Sequence, residues 1–182
     1  MLGKDKIVTY KQLPKIIRAY RDLGQKIVLT QGTYDLIHVG HGRYLEAAKK
    51  EGEVLIVGVD SDEKVKQRKG ESRPIVPEEE RVEMLTYLTS VDRVVVKPVT
   101  AEKWSLIKLV RPDVLVATKA TYTPAELQEL QQYCGQVKVL EPKATTSTSA
   151  KIRTVQLQMA KKLTDKIKKE FLKQIEEMVA EL

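Results

Sequence analysis

Short apolar runs alternate with stretches of helical apolar spacing along most of the chain. Five runs rich in Val, Leu and Ile predict strands at residues 26–30, 54–59, 91–96, 114–117 and 137–140, and the first two are predicted to be buried. Apolar residues three or four positions apart predict helices between and before the strands: residues 9–23, 39–50, 77–88, 102–110 and 124–133. Strands that alternate with helices indicate a Rossmann-like, doubly wound α/β fold with a parallel five-stranded sheet.

The C-terminal segment predicts one long amphipathic helix after the hydroxyl-rich residues 145–149. Its apolar residues recur at steps of three or four and form one stripe: Ile152, Val155, Met159, Leu163, Ile167, Phe171, Ile175, Met178 and Leu182. The stripe either packs back on its own domain or pairs with a partner helix, so a homodimer through this helix is one of two open interpretations. The chain then divides into an N-terminal helix (residues 1–24), an α/β domain (25–145) and a C-terminal segment (146–182).

Residues 60–77 are polar and basic, and no apolar periodicity runs through them. They predict an irregular loop. A loop of this length in a compact domain indicates a functional role.

The clearest candidate chemistry follows the first predicted strand. His38 and His41, the only two histidines in the chain, lie on either side of Val39-Gly40 where a helix is predicted to begin. Backbone N–H groups at a helix start are unpaired and the helix dipole is positive there, so an anion binds well. Gly32 removes a side chain and lets a phosphate approach the backbone. The pattern predicts a phosphate site at the carboxyl end of a strand. A metal site is the less favoured interpretation, because Asp35 is the only further candidate ligand nearby.

Composition and charge narrow the choice of partner. The formal net charge of +7 favours an anionic partner, whether nucleotide phosphate, RNA or an acidic membrane surface. Aromatic residues make up only 5%, which disfavours stacking on single-stranded nucleic acid, and no apolar run is long enough to span a membrane. A single cysteine, Cys134, suits a reducing compartment, and the first residues show no signal peptide, so we expect a cytoplasmic protein.

The string at residues 32–41, G-T-Y-D-L-I-H-V-G-H, resembles the signature G-x-F-D-x-x-H-x-G-H of the cytidylyltransferase-like nucleotidyltransferases, with Tyr34 in place of Phe. Further short matches recur in the same order in the adenylyltransferase domain of bacterial ADP-heptose synthases: Asp60-Ser61-Asp62, Lys69-Gly70, Arg73-Pro74, Glu80-Arg81 and Arg111-Pro112-Asp113. The resemblance covers roughly residues 10–153. It identifies residues 25–145 as a nucleotidyltransferase domain, followed by a phosphate-capping segment.

The resemblance implies that an acceptor phosphate attacks the α-phosphorus of a nucleoside triphosphate and that pyrophosphate leaves. His38 and His41 would hold the triphosphate and stabilise the transition state, and Lys69 would reach the phosphates with Arg68 beside it. Arg81 would bind near the acceptor or the triphosphate, and Mg²⁺ would bridge phosphate oxygens with few protein ligands. The remaining implied nucleotide and phosphate contacts are Gly32, Thr33, Tyr34, Asp35, Gly40, Thr148, Ser149 and Arg153. Without the motif, the basic residues would be read as solvated charges, and Arg81 as a partner of Glu78 or Glu83.

Two segments depart from the family pattern. The strand at 114–116 is usually followed by a Gly-rich turn that ends in Asp and helps to recognise the nucleotide, whereas residues 117–122 read A-T-K-A-T-Y. The second motif, I-S-S-T-x-I-R, is S-T-S-A-K-I-R at residues 147–153.

We therefore favour transfer from ATP to an acceptor such as a sugar 1-phosphate. Second is a cytidylyltransferase acting on glycerol, ethanolamine or choline phosphate, and third is an FMN adenylyltransferase. A nucleotide-binding regulatory module with weakened turnover is the alternative from another class. RNA binding rests on charge alone and ranks last.

Overall fold

A computed structural model describes residues 3–119, 121–141 and 148–180. The chain divides into two compact units, Met1–Thr145 and Thr146–Leu182. The first unit holds the sheet and its helices, and the second holds a single long helix.

The strands are β1 (Ile27–Gly32), β2 (Val54–Asp60), β3 (Arg93–Lys97), β4 (Val114–Thr118) and β5 (Gln136–Leu140). The helices of the first unit are α1 (Leu13–Asp22), α2 (Val39–Lys49), α3 (Asp62–Lys69), α4 (Glu78–Thr86), α5 (Ser105–Val110) and α6 (Pro124–Leu130), with a short 3-10 helix at Lys4–Lys6. The second unit contains α7 (Thr148–Ala180). All strand pairs are parallel and their order is β3-β2-β1-β4-β5, which confirms the predicted α/β class.

Apolar side chains cover both faces of the sheet. Ile27 and Leu29 of β1 belong to one core cluster with residues of α1 and α5, whereas Val28 between them belongs to a second cluster with residues of α2 and α4. Successive strand residues point to opposite faces, so a strand buried on both sides must be apolar throughout. This is why the buried strands β2 and β4 stand out in the sequence as apolar runs, whereas the edge strand β5 contains Lys138 and is partly exposed.

Helix α5 approaches the sheet closely at Gly58 of β2. A Cβ atom at this position would lie 2.6 Å from the Leu106 Cδ2 atom, closer than two such atoms can pack. The glycine therefore allows α5 to rest directly on the strand.

The prediction of an irregular loop at residues 60–77 was wrong in its first half, where the structure has helix α3. Only Val65 of the eight α3 residues is apolar and buried, so no periodic stripe marks the helix. Its ends supply the stability instead: the Ser61 Oγ accepts the Lys64 N–H at 3.2 Å, acidic residues occupy the first turn, and basic residues occupy the last.

The second unit is one helix of 33 residues, as the apolar stripe predicted. The large apolar side chains that the structure describes on α7 between Val155 and Met178 are exposed. Among the residues that the structure describes, no helix is both long and apolar enough to cross a membrane.

Candidate active site

The turn after β1 lies at the switch point of the sheet. The chain runs from β1 outward to β2 and β3 and then returns past β1 to β4, so β1 pairs with β2 on one side and β4 on the other. In sheets of this kind ligands bind at the carboxyl ends of the strands beside that reversal. Residues 33–38, which connect β1 to α2, occupy this position.

His38 and His41 cap the N-terminus of α2 reciprocally. The Nδ1 atom of His38 accepts the Gly40 N–H at 3.1 Å, and the Nδ1 atom of His41 accepts the His38 N–H at 3.3 Å. The ring centroids are 4.2 Å apart. Because both Nδ1 atoms accept, each neutral ring carries its proton on Nε2, which makes each Nε2–H a donor.

The backbone of the turn is strained beside this pair. Tyr34 and Leu36 have positive φ angles of 55° and 48°, which non-glycine residues rarely adopt. The buried Tyr34 ring lies 5.7 Å from the His41 ring, and a Cβ atom on Gly32 would be 3.1 Å from its Cε2 atom. The missing side chain of Gly32 thus makes room for the Tyr34 ring, a use that the sequence did not reveal.

Asp35 ties the turn to the segment that follows α3. Its buried carboxylate accepts the N–H groups of Ile75 and Val76 at 3.1 and 3.0 Å and the Arg73 Nε–H at 2.9 Å. Arg73 also places its Nη2 atom 2.6 Å from the same carboxylate. Burial alone would raise the pKa of Asp35, but the two backbone hydrogen bonds and the Arg73 charge together bring that pKa below its ordinary value. The carboxylate therefore acts on the site through the loop that it holds.

A second buried carboxylate, Asp60, lies at the carboxyl end of β2. Lys97 pairs with it in the β2–β3 register and donates to its Oδ1 atom at 3.1 Å. The Arg68 Nη2 group donates to both the Asp60 Oδ2 and the Thr33 Oγ1 atoms at 2.8 Å. Sequence reasoning missed Asp60 and Lys97 as members of the site. Charged residues that end two apolar strands were the signal that could have found them.

Arg81 is buried among the ends of β1 and β2 and the loop before α4. The guanidinium was expected to bind near the acceptor or the triphosphate, but only 1% of the residue is exposed. It donates to the carbonyl oxygens of Val76, Thr33 and Asp60 and pairs with the Asp62 carboxylate at 2.7 Å. These bonds make Arg81 a residue that positions the strand ends and the loops around the site.

Lys69 ends α3 directly after Arg68. Burial lowers its pKa, followed by the charges of Arg68 and Arg73, while the charges of Asp35 and Asp60 act in the opposite direction. Arg68, the residue before Lys69, donates to Thr33 in the β1–α2 turn, so the end of α3 lies beside that turn. The structure thus brings Lys69 and the histidine turn to one edge of the sheet.

The carboxyl end of β4 is closed by hydroxyl hydrogen bonds, and Lys119 after it forms an exposed ion pair with Glu141 at 2.6 Å. The Thr118 N–H donates to the Thr121 Oγ1 atom at 3.1 Å, and the two hydroxyl oxygens are 2.8 Å apart. The next residue, Tyr122, reaches β1, where its hydroxyl accepts the Gln31 side-chain amide at 3.1 Å. The segment that departs from the family pattern is therefore a hydroxyl-bonded turn tied to the central strand.

Three predicted phosphate contacts belong to the second unit. Thr148 and Ser149 begin α7, but their side chains lie outside the described residues, as do residues 142–147 before them. Arg153 is exposed near the start of α7. Within the described part of the chain, no three His, Cys, Asp or Glu side chains are grouped so that they could hold a metal ion.

A family model described as cytidylyltransferase-like matches residues 29–169. The bifunctional protein HldE of Aliarcobacter butzleri, an ADP-heptose synthase, is 40% identical over 149 residues, which make up 81% of this chain and 31% of that protein. The HldE of Sulfurimonas denitrificans is 38% identical over 150 residues, 79% of this chain and 30% of that protein. The chain thus spans about a third of the length of these curated relatives and matches their C-terminal adenylyltransferase part, which confirms the resemblance found from the motifs.

Two solved structures are similar in fold. A lipopolysaccharide core biosynthesis protein from Thermoplasma volcanium GSS1 has a TM-score of 0.56 and 26% identity, covering 68% of this chain and all of that one. Pantoate-beta-alanine ligase from Francisella tularensis has a TM-score of 0.58 over 76% of this chain and 67% of that one. At 16% identity the second likeness shows the fold alone.

Proposed function

The chain belongs to the cytidylyltransferase-like family of nucleotidyl-transferring enzymes, and on that premise we propose that it transfers an adenylyl group from ATP to a sugar phosphate. The observation that carries the proposal is the reciprocal histidine cap at the switch point of the sheet. The cap holds both rings at the N-terminus of α2, where a triphosphate would bind and an Nε2–H group of each ring could donate to it.

In the proposed reaction a phosphate oxygen of the acceptor forms a bond to the α-phosphorus of ATP. The bond from that phosphorus to the α,β-bridging oxygen breaks, and the electron pair leaves with pyrophosphate. The Nε2–H groups of His38 and His41 and the Lys69 ammonium stabilise the negative charge that develops on the phosphates. The loop bonds of Asp35 and the interior bonds of Arg81 hold these groups in place before the substrate binds.

Magnesium fits this site as part of the substrate. The buried carboxylates Asp35 and Asp60 are already bonded to Arg73, Arg68 and Lys97, so the chain offers phosphate-binding cations here in place of a carboxylate cage. We propose that Mg²⁺ arrives bound to the triphosphate, whose oxygens supply its ligands.

Similarity to the ADP-heptose synthases supports ATP and a sugar phosphate as the substrates. A cavity of about 630 Å³ lies beside the ends of β2 and β3 and is lined by Asp62, Glu63, Glu78 and Glu79 among others. Carboxylates accept hydrogen bonds from hydroxyl groups, so this cavity suits the polyhydroxyl part of such an acceptor.

A second candidate is a nucleotide-binding module that has lost turnover. The Thr118–Thr121 turn favours it, because the two hydroxyls bond to each other where the family pattern has a nucleotide-recognising Asp. The presence of His38, His41 and Lys69 favours an active enzyme over such a module.

The test is to incubate the full chain with Mg²⁺, each nucleoside triphosphate in turn and a panel of acceptors, and to follow pyrophosphate release. The panel contains sugar 1-phosphates, glycerol, ethanolamine and choline phosphates, and FMN. We expect release with ATP and a sugar phosphate. Release only with CTP and a phospho-alcohol, or only with ATP and FMN, would replace the proposed substrates. Nucleotide binding without release from any pair would favour the regulatory module.

The variant His41→Ala tests the role of the histidine cap in the reaction. Glu46→Ala on the exposed side of α2 is its control. We expect pyrophosphate release to fall by about 10²–10³-fold in the first and to stay unchanged in the second. Equal turnover in the two variants would remove the histidine pair from the mechanism.

A further inference from the structure

Helix α7 carries an apolar stripe that a single helix cannot bury. At 1.5 Å per residue its 33 residues extend about 50 Å. The exposed fraction of the stripe side chains between Val155 and Met178 ranges from 39% at Ile175 to 67% at Met159. Amphipathic helices gain most of their stability by packing the apolar face, so this stripe requires a partner surface.

The five central positions of the stripe are spaced symmetrically about Ile167. Leu163 and Phe171 lie four residues to either side, and Met159 and Ile175 lie eight residues to either side. A second copy of α7 running in the opposite direction, with a twofold axis at Ile167, would place each of these residues against an apolar residue.

The charge along α7 is not symmetrical. Residues 148–169 contain seven basic residues and one acidic residue, whereas residues 170–182 contain four acidic residues and one basic residue. Parallel helices would bring like-charged segments side by side. Antiparallel helices would place the acidic end of each copy beside the basic segment of the other, and flanking charges of this kind set helix orientation.

We propose that α7 forms a homodimer in which two copies of the helix pair antiparallel about Ile167. The symmetrical stripe supplies the apolar seam, and the opposed charges select the orientation. This proposal rests on α7 alone and does not depend on the reaction proposed for the first unit.

Light scattering after size exclusion tests the dimer on the full chain. We expect twice the mass of one chain for the native protein and the mass of one chain for Ile167→Asp. The control Gln158→Asp introduces the same residue on the opposite side of the helix and should leave the dimer intact. A monomeric native chain would overturn the proposal, since the stripe would then be covered within one chain. A dimer that survives Ile167→Asp would overturn it as well.

Disulfide cross-linking tests the orientation in a Cys134→Ser background. Ala160 and Gln174 lie seven residues to either side of Ile167, so an antiparallel pair brings position 160 of one copy to position 174 of the other. Coexpressed Ala160→Cys and Gln174→Cys chains should form a mixed disulfide on oxidation, and Ala160→Cys alone should not cross-link. Efficient cross-linking of Ala160→Cys to itself would show a parallel pair and contradict the proposal.

Discussion

The carboxyl ends of β1 to β3 and the carboxyl end of β4 form two regions of the same sheet edge with different interactions. In the first region Asp35 and Asp60 are buried and bonded to three cations, and Arg81 is buried among backbone carbonyls. In the second, the Thr118–Thr121 turn and Tyr122 are joined by neutral hydroxyl and amide bonds, and the ion pair of that turn, Lys119 with Glu141, is exposed to solvent.

The difference has an energetic consequence. Removing one partner of a buried ion pair costs about 3–5 kcal/mol, because the other charge is left without compensation in the interior. A neutral hydrogen bond contributes only about 0.5–1.5 kcal/mol. The charged region can therefore hold the phosphate-binding groups rigidly, whereas the neutral region can change its residues at small cost.

Arg81→Ala should destabilise the charged region more than the other variants proposed here. It removes the buried cation that pairs with Asp62 and bonds to three carbonyl oxygens, so we expect the free energy of unfolding in urea to fall by about 3–5 kcal/mol. Arg18→Ala, an exposed arginine on α1, should change it by less than about 0.5 kcal/mol. If Arg81→Ala kept native stability and lost triphosphate binding, Arg81 would be a phosphate ligand, as the sequence first indicated.

Lys69→Ala should reduce turnover without a comparable loss of stability. We expect kcat to fall by about 10²–10³-fold, because one cation that stabilises charge on the phosphates is lost. Lys66→Ala alters the preceding turn of the same exposed helix and should leave kcat unchanged. The measurement is pyrophosphate release under saturating ATP. Equal rates for the two variants would mean that α3 contributes to the folded structure but not to turnover.

Asp35→Asn should show that the stability of the charged region depends on pH. The folded state lowers the Asp35 pKa, so the carboxylate contributes stability above the unfolded pKa of about 3.9 and loses it as the pH falls through the lower folded value. We expect the variant to be about 2 kcal/mol less stable than the native chain in urea at neutral pH, with the difference shrinking below pH of about 4. The exposed Asp22→Asn is the control. A difference independent of pH would show that the ionised form is not what holds residues 73–76.

Structural features that depend on periodicity or on a local motif could be predicted from the sequence. Features that depend on contacts between residues far apart in the chain could not. The strands are rich in Val, Leu and Ile, and the histidine turn lies in one continuous string, so both could be predicted. The helix α3 has a single buried apolar residue and was read as a loop, although Ser61 and the acidic residues after it were a capping signal. The interior position of Arg81 depends on carbonyls that are 5 to 48 residues away along the chain, which no local pattern encodes.

Tyr122→Phe should produce the smallest effect and tests whether the neutral region contributes to nucleotide choice. The variant removes the hydroxyl that accepts the Gln31 amide, worth about 0.5–1.5 kcal/mol, so we expect the ratio of kcat/KM for ATP to that for CTP to change by no more than about tenfold. Tyr133→Phe removes a hydroxyl from a ring that packs against the same core cluster and should leave the ratio unchanged. A ratio that moves equally in both variants, or in neither, would mean that the Gln31–Tyr122 bond only joins β1 to the end of β4. A shift confined to Tyr122→Phe would assign the altered turn a part in choosing the base while the charged region sets the reaction.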